Sequence, residues 1–232
     1  MIKAIFQILV ILLLAIGCKE KNSERNLAEQ QINFNQGLVD KLLEMVEIDQ
    51  VAVYAVPIKN YSHLSQIEWE RFKDSVYKKH QKILDSIFAI YGFPGYDLIG
   101  KEGSQNFWLM AQHADHNPKF QQKVLKQMKI EVAKENTDPT NYAKLTDRVN
   151  LNLGKRQIYG TQVTYNLQIC QAYPKDLTDS IHVNKRRAEM GLEPIEKYLN
   201  EMSEIHFEMN KEYYKNLGIT EPHLYKIKER AD

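Results

Sequence analysis

Three short runs place polar, titratable side chains where a helical protein would ordinarily put core or plain surface. The first is Gln112-His113-Ala114-Asp115-His116. The second is Asp147-Arg148, inside Leu145-Thr146-Asp147-Arg148-Val149. The third is Gln157-Ile158-Tyr159-Gly160-Thr161-Gln162, and Arg186-Arg187 adds a fourth pair of charges. On a helix, Gln112, Asp115 and His116 stand three and four residues apart and share a side. His113 and His116, with Asp115 or Asp147, offer the nitrogen and carboxylate ligands that zinc accepts. No HExxH or comparable spacing accompanies them, and histidines in a helix's last turn have a simpler use, because the dipole favours positive charge there. The reading therefore assigns no metal and no cofactor.

Asp115 and Asp147 alternatively make an acid–base pair. Glycoside hydrolysis needs two carboxylates about 5–10 Å apart, one of them with a raised pKa, and His113 is placed to assist. The amides of Gln112, Gln157 and Gln162 suit a neutral, hydroxyl-rich ligand, with Trp108 or Tyr159 stacking on a sugar face. A third reading makes the same residues a buried network in which Asp147 and Arg148 pair across helix interfaces and only fix packing. The candidate ligand-binding set is Gln112, His113, Asp115, Asp147, Arg148, Gln157, Tyr159 and Gln162, and the candidate catalytic residues are His113, Asp115 and Asp147. Gly160 marks a bulge or a close backbone approach. No nucleophile stands out, since Cys170 falls in an alternating strand pattern and a lone buried thiol is inert. Gly100-Lys101-Glu102-Gly103 lacks the spacing of a phosphate loop.

These runs, with Gly92-Phe93-Pro94-Gly95 before them, resemble a bacterial family of unknown function whose members carry QHAD, LTDRV and YGTQ motifs in this order. Asp49-Gln50 and the Arg187…Gly191-Leu192…Tyr198 stretch resemble its two ends, so the likeness covers about residues 40–200. Relatives have an arginine soon after the Asp-Gln pair, where this chain has Val51-Ala52-Val53. The resemblance implies no activity.

The elements that position the runs follow from periodicity. A helix over about 33–49 turns Leu38, Leu42, Met45 and Val46 to one side. Val51–Val56 is apolar and β-branched up to Pro57, which predicts a short strand or a buried connection. Ser65 and Glu68 form a capping-box pattern for a long helix to about Tyr91, with Trp69, Phe72, Val76, Ile83, Ile87 and Ile90 inward. A short helix is expected from Ser104 to His116. Asn117-Pro118 and Asp138-Pro139 each give a cap and a first-position proline for two more. Val163, Tyr165, Leu167 and Ile169 alternate with polar residues, as a strand or tight hairpin does. Helices over about 179–190 and 194–216 close the pattern, the last with Ile195, Tyr198, Leu199, Met202, Ile205, Met209 and Tyr213 inward. The expected fold is mainly α, a helical bundle-like single domain with one small β-hairpin or strand near 157–172.

The chain start points outside the cytoplasm. One lysine precedes a short apolar run from Ala4 to Gly17, as in a secretory signal and short of the roughly 20 residues a membrane span needs. Leu14-Ala15-Ile16-Gly17-Cys18 resembles the lipobox of bacterial lipoproteins, with Ala15 where leucine is commonest. The resemblance implies cleavage before Cys18, a thioether lipid on its sulfur and acylation of the new amino terminus. No Asp follows Cys18, which makes the outer membrane the expected location, its face left open. The expected organisation is a signal peptide (1–17), lipidated cysteine and tether (18–31), helical domain (32–217) and tail (218–232), with Lys226–Arg230 a solvated end. Of the 31 basic and 30 acidic residues, cleavage removes only Lys3. The balance then reaches zero and gives no electrostatic case for nucleic acid. Cys170 alone remains beyond Cys18, which leaves no internal disulfide. The expected function is a membrane-tethered ligand-binding or interaction domain that takes a small ligand or envelope component; the alternative is a hydrolase of an envelope glycan or peptide.

Overall fold

Four of the eight α-helices among the described residues begin where a side chain takes up the free amides of the first turn. In the computed structural model, which describes residues 34–227, Asn35 Oδ1 accepts from the Leu38 amide at 2.9 Å to open α1 (Gln36–Ala52). Ser65 and Glu68 cap each other reciprocally at the start of α2 (Gln66–Tyr91). After Gly95 comes α3 (Tyr96–Gln112), bent where Gly100 takes φ +69°. Asn117 and Asp138, each followed by proline, cap α4 (Pro118–Ala133) and α5 (Pro139–Asn152). The strands β1 (Val163–Asn166) and β2 (Gln171–Pro174) form an antiparallel hairpin with Val163 opposite Pro174. The chain continues through α6 (Val183–Glu189), α7 (Ile195–Met209) and α8 (Lys211–Asn216). Among the described residues the fold is mainly α, a single domain with one two-stranded sheet. The signal sequence, Cys18, the whole tether and residues 228–232 lie outside the described residues.

The apolar stripes of α1 to α5 meet in one large cluster, with Leu42, Leu84, Phe107, Val124, Met128 and Leu145 fully buried in it. A smaller cluster forms where the hairpin lies on α6 and α7, around Ala172, Val183, Ile195 and Leu199. The segment after α8 crosses this second part. Asn200 on α7 accepts from the Tyr225 amide at 2.7 Å and donates to the Tyr225 carbonyl at 3.0 Å, and the Tyr225 hydroxyl donates to the Ala172 carbonyl.

Several expectations are corrected. Val51 and Ala52 continue α1, because Asp49 and Ala52 prolong its buried stripe, while Val53, Tyr54 and Val56 stand on an exposed loop. Helix α3 starts before Ser104, its bend at Gly100 carrying one helix through, and ends at Gln112. His113 is its C-cap, and Asp115 and His116 lie in the turn beyond. Leu167, Ile169 and Cys170 belong to the hairpin turn, with Cys170 at φ +49°. Ile90 is exposed, so the inner face of α2 runs through His80 and Leu84 instead. The last long helix breaks at Asn210. Its inner face is the i, i+4 row Ile195, Leu199, Ser203 and Phe207, which leaves Ile205, Met209 and Tyr213 outward.

Candidate functional site

Asp147 lies on the inward side of α5, fully buried. Its Oδ1 accepts the amides of Ile158 and Tyr159 at 2.8 and 3.0 Å, and its Oδ2 accepts the Thr161 amide and hydroxyl at 2.9 Å each. Four donors thus converge on one carboxylate and curl residues 158–161 around it. Gly160 closes the curl at φ +69°, and a Cβ there would meet Ile195 Cδ1 at 2.7 Å. Gln157, also fully buried, staples the ends of the loop by accepting from the Gln162 amide while its own amide donates to the Gln162 and Lys175 carbonyls. Tyr159 is buried, and burial pushes its phenol up to about 12.

Arg148, the next residue on α5, points elsewhere. It holds Asp115 with two parallel bonds, Nε to Oδ1 at 2.9 Å and Nη2 to Oδ2 at 2.6 Å, and Asn152 and Gln121 also donate to Oδ1. Partial burial by itself raises the Asp115 carboxyl, but the bonds and charge of Arg148 outweigh it and hold the pKa below the ordinary value. Asp115 and Asp147 thus sit in separate networks. His116 is exposed.

His113 meets a residue that the sequence reading gave no chemistry. Its Nδ1 donates to Oδ2 of Asp49 at 2.7 Å, and His80 Nδ1 lies 3.5 Å from Oδ1 of the same carboxylate. Asp49 is fully buried. Burial raises its pKa, yet the hydrogen bond of His113 together with the charge of the two histidines leaves it lowered. Tyr77 packs its ring 5.2 Å from that of His113; burial, with the Asp49 charge behind it, pushes its phenol up to about 12. Asp49 and His80 were both legible as core-facing, since each continues an apolar i, i+3, i+4 row on its helix. Among the described residues no group of three or more His, Cys, Asp or Glu side chains is arranged to hold a metal ion.

The first and third runs share a surface in a cleft of about 400 Å³, within the size range of small-molecule sites. Gln112, Thr161 and Gln162 meet Thr140 and Lys144 of α5 there, and the other wall is Arg187, Leu192, Glu193, Tyr198 and Glu201. Arg187, 1% exposed, donates through Nε to the Glu193 carbonyl at 2.6 Å and through Nη1 to the Tyr159 carbonyl at 2.8 Å. Its guanidinium lies 4.9 Å from the ring centre of Tyr198, whose hydroxyl donates to the Thr161 carbonyl. Arg186 instead ties the Ile158, Thr178 and Asp179 carbonyls together. Of the predicted binding set, then, Gln112 and Gln162 line the cleft. Tyr159 and Gln157 shape its loop from behind, and His113, Asp115 and Arg148 lie in the neighbouring networks.

No curated protein and no solved structure matches the chain. Residues 36–209 match the family described as "Family of unknown function (DUF6624)", and because that span is most of the chain, the chain belongs to this family.

Proposed function

We propose that this chain is a lipid-anchored protein of the bacterial envelope whose helical domain binds a small polar ligand in the cleft between Gln112, Gln162 and Tyr198. One observation carries the reading: side chains far apart in sequence converge on a single opening, and they come from two of the polar runs and from the Arg187–Tyr198 stretch. The loop that supplies Thr161 and Gln162 is held rigid by Asp147 from below, which is how a site keeps its donors in place before a ligand arrives. Anchorage rests on the likeness of Leu14–Cys18 to a lipobox, and two acyl chains would hold it firmly. The test has two arms. Replacing Cys18 by Ala should release the protein from the membrane fraction. Gln162→Ala should then weaken, several-fold, the binding of neutral glycan and short peptide fragments of the envelope as measured by calorimetry. Binding that is indifferent to Gln162 removes the cleft from consideration.

A second reading, hydrolysis of an envelope glycan or peptide, draws on the Asp49–His113 contact. A carboxylate that fixes an imidazole through Nδ1 leaves Nε2 free to act as a base. In that reading His113 is the base, and Asp115, held ionised by Arg148, stabilises positive charge nearby. Asp147 serves the loop, since all four of its bonds go to it. Loss of turnover in His113→Gln, in a variant whose circular dichroism shows the native helical fold, is the expected result, and unaltered turnover ends this reading.

A further inference from the structure

Arg187 is the one strongly buried cation of the cleft, and its surroundings leave part of it unmet. Two of its three nitrogens are taken by backbone carbonyls, and among the described residues Nη2 has no hydrogen-bond partner and no carboxylate pairs with the guanidinium. Asp147, the nearest buried carboxylate on the far side of the 158–161 loop, spends both oxygens on loop donors. Burial of the kind Arg187 experiences disfavours the charged form, and buried charges are ordinarily paired. The rest of the lining adds Lys144, which is exposed and has its ammonium 6.0 Å from the Trp108 ring centre. Of the two acids on the wall, Glu193 is engaged by Lys197, which leaves Glu201.

Resting on the cleft reading above, we infer that the cleft's ligand carries an anionic oxygen group, a carboxylate or a phosphate, that accepts from Nη2 of Arg187 with Lys144 beside it. A guanidinium already fixed by two carbonyls and backed by the Tyr198 ring loses little freedom when it takes an acceptor, and a planar donor edge suits an oxyanion. The remaining polar groups, Gln112, Gln162 and Thr140, would then hold the neutral part of the same molecule. A neutral sugar alone would leave the Arg187 charge without an acceptor of opposite sign.

The inference is tested on the full chain in detergent micelles, following the amide resonances of Thr161, Gln162, Leu192 and Glu193. Sodium acetate, inorganic phosphate and a neutral disaccharide are added at millimolar levels, with chloride matching ionic strength. A saturable shift of these amides by acetate or phosphate is expected, and which of the two acts names the source of the group. Lys144→Gln should weaken that response several-fold and Glu201→Gln should strengthen it, opposite signs that a purely structural role for either residue would not produce. No cleft shift with either anion overturns the inference whatever the disaccharide does. The disaccharide then decides separately whether the cleft reading survives: shifts at the same amides keep it, and their absence ends it too.

Discussion

Asp147 and Arg187 grip Tyr159 from opposite sides, the carboxylate accepting its amide at 3.0 Å and the guanidinium donating to its carbonyl at 2.8 Å. Two buried charges of opposite sign are therefore tied to one peptide unit without touching one another, Asp147 with both oxygens satisfied and Arg187 with Nη2 left over. The loop between them inherits their positions, and with it the orientation of Thr161 and Gln162.

Removing one side of this clamp should cost a large part of the protein's stability. Asp147→Asn turns an NH2 toward amide donors that now meet a carboxylate, and breaking a buried charged network costs about 3–5 kcal/mol. Asp115→Asn, in a pair that reaches solvent, should cost only about 1 kcal/mol or less. Urea unfolding of the two variants side by side checks the contrast, and equal losses would contradict it.

The other side is tested by Arg187→Lys. A lysine ammonium cannot hold the Glu193 and Tyr159 carbonyls in the fork geometry that the guanidinium uses. Each charge-assisted bond lost is worth about 1.5–3 kcal/mol, so a fall in melting temperature comparable to that of Asp147→Asn is expected.

Gly160→Ala should be destabilising for two separate reasons. Its φ of +69° disfavours any Cβ by about 1–2 kcal/mol, and the added carbon would lie 2.7 Å from Ile195 Cδ1. A double change with Ile195→Val, which shortens the opposing side chain, should recover the clash but not the backbone strain. Calorimetric melts of the single and double variants separate the two contributions.

Acid sensitivity should trace to Asp49 more than to most of the chain's carboxylates. Its folded pKa is depressed, so the stability it contributes is present above the unfolded value of about 3.9 and is lost as pH falls through the lower folded value. Asp115 behaves with the same sign through Arg148. Asp49→Asn should lower stability at pH 7 yet flatten the stability–pH curve between about pH 5 and the acid limit. A curve with the same slope in wild type and variant would show that the two histidines do not hold this carboxylate.

Much of the architecture was legible because it follows from local signals. Asn117-Pro118, Asp138-Pro139 and the Ser65/Glu68 box each mark a helix start that the structure keeps. The hairpin was legible as an alternation, but its placement shifted, because Leu167, Ile169 and Cys170 continue the pattern into a turn that only tertiary contacts define. Of the site, the residue types were readable and their partners were not. Asp147 and Arg148 are adjacent in sequence and point into different networks. Asp49 finds His113 sixty-four residues away, a meeting that depends on how α1 lies on α3 and that no spacing within either helix encodes. The core-facing position of His80 was available from periodicity, and its pairing was not.

The pairing of Asn200 with Tyr225 ties the segment after α8 into this folding unit. One side-chain amide offers Tyr225 an acceptor and a donor together, as a neighbouring strand would, and the same residue closes over the Ala172 carbonyl of the hairpin. The family signature ends at residue 209, sixteen positions earlier. A chain cut at that signature would keep every motif and still open three polar groups of its smaller core to water. The folded unit therefore reaches at least as far as a strap that the family pattern does not include.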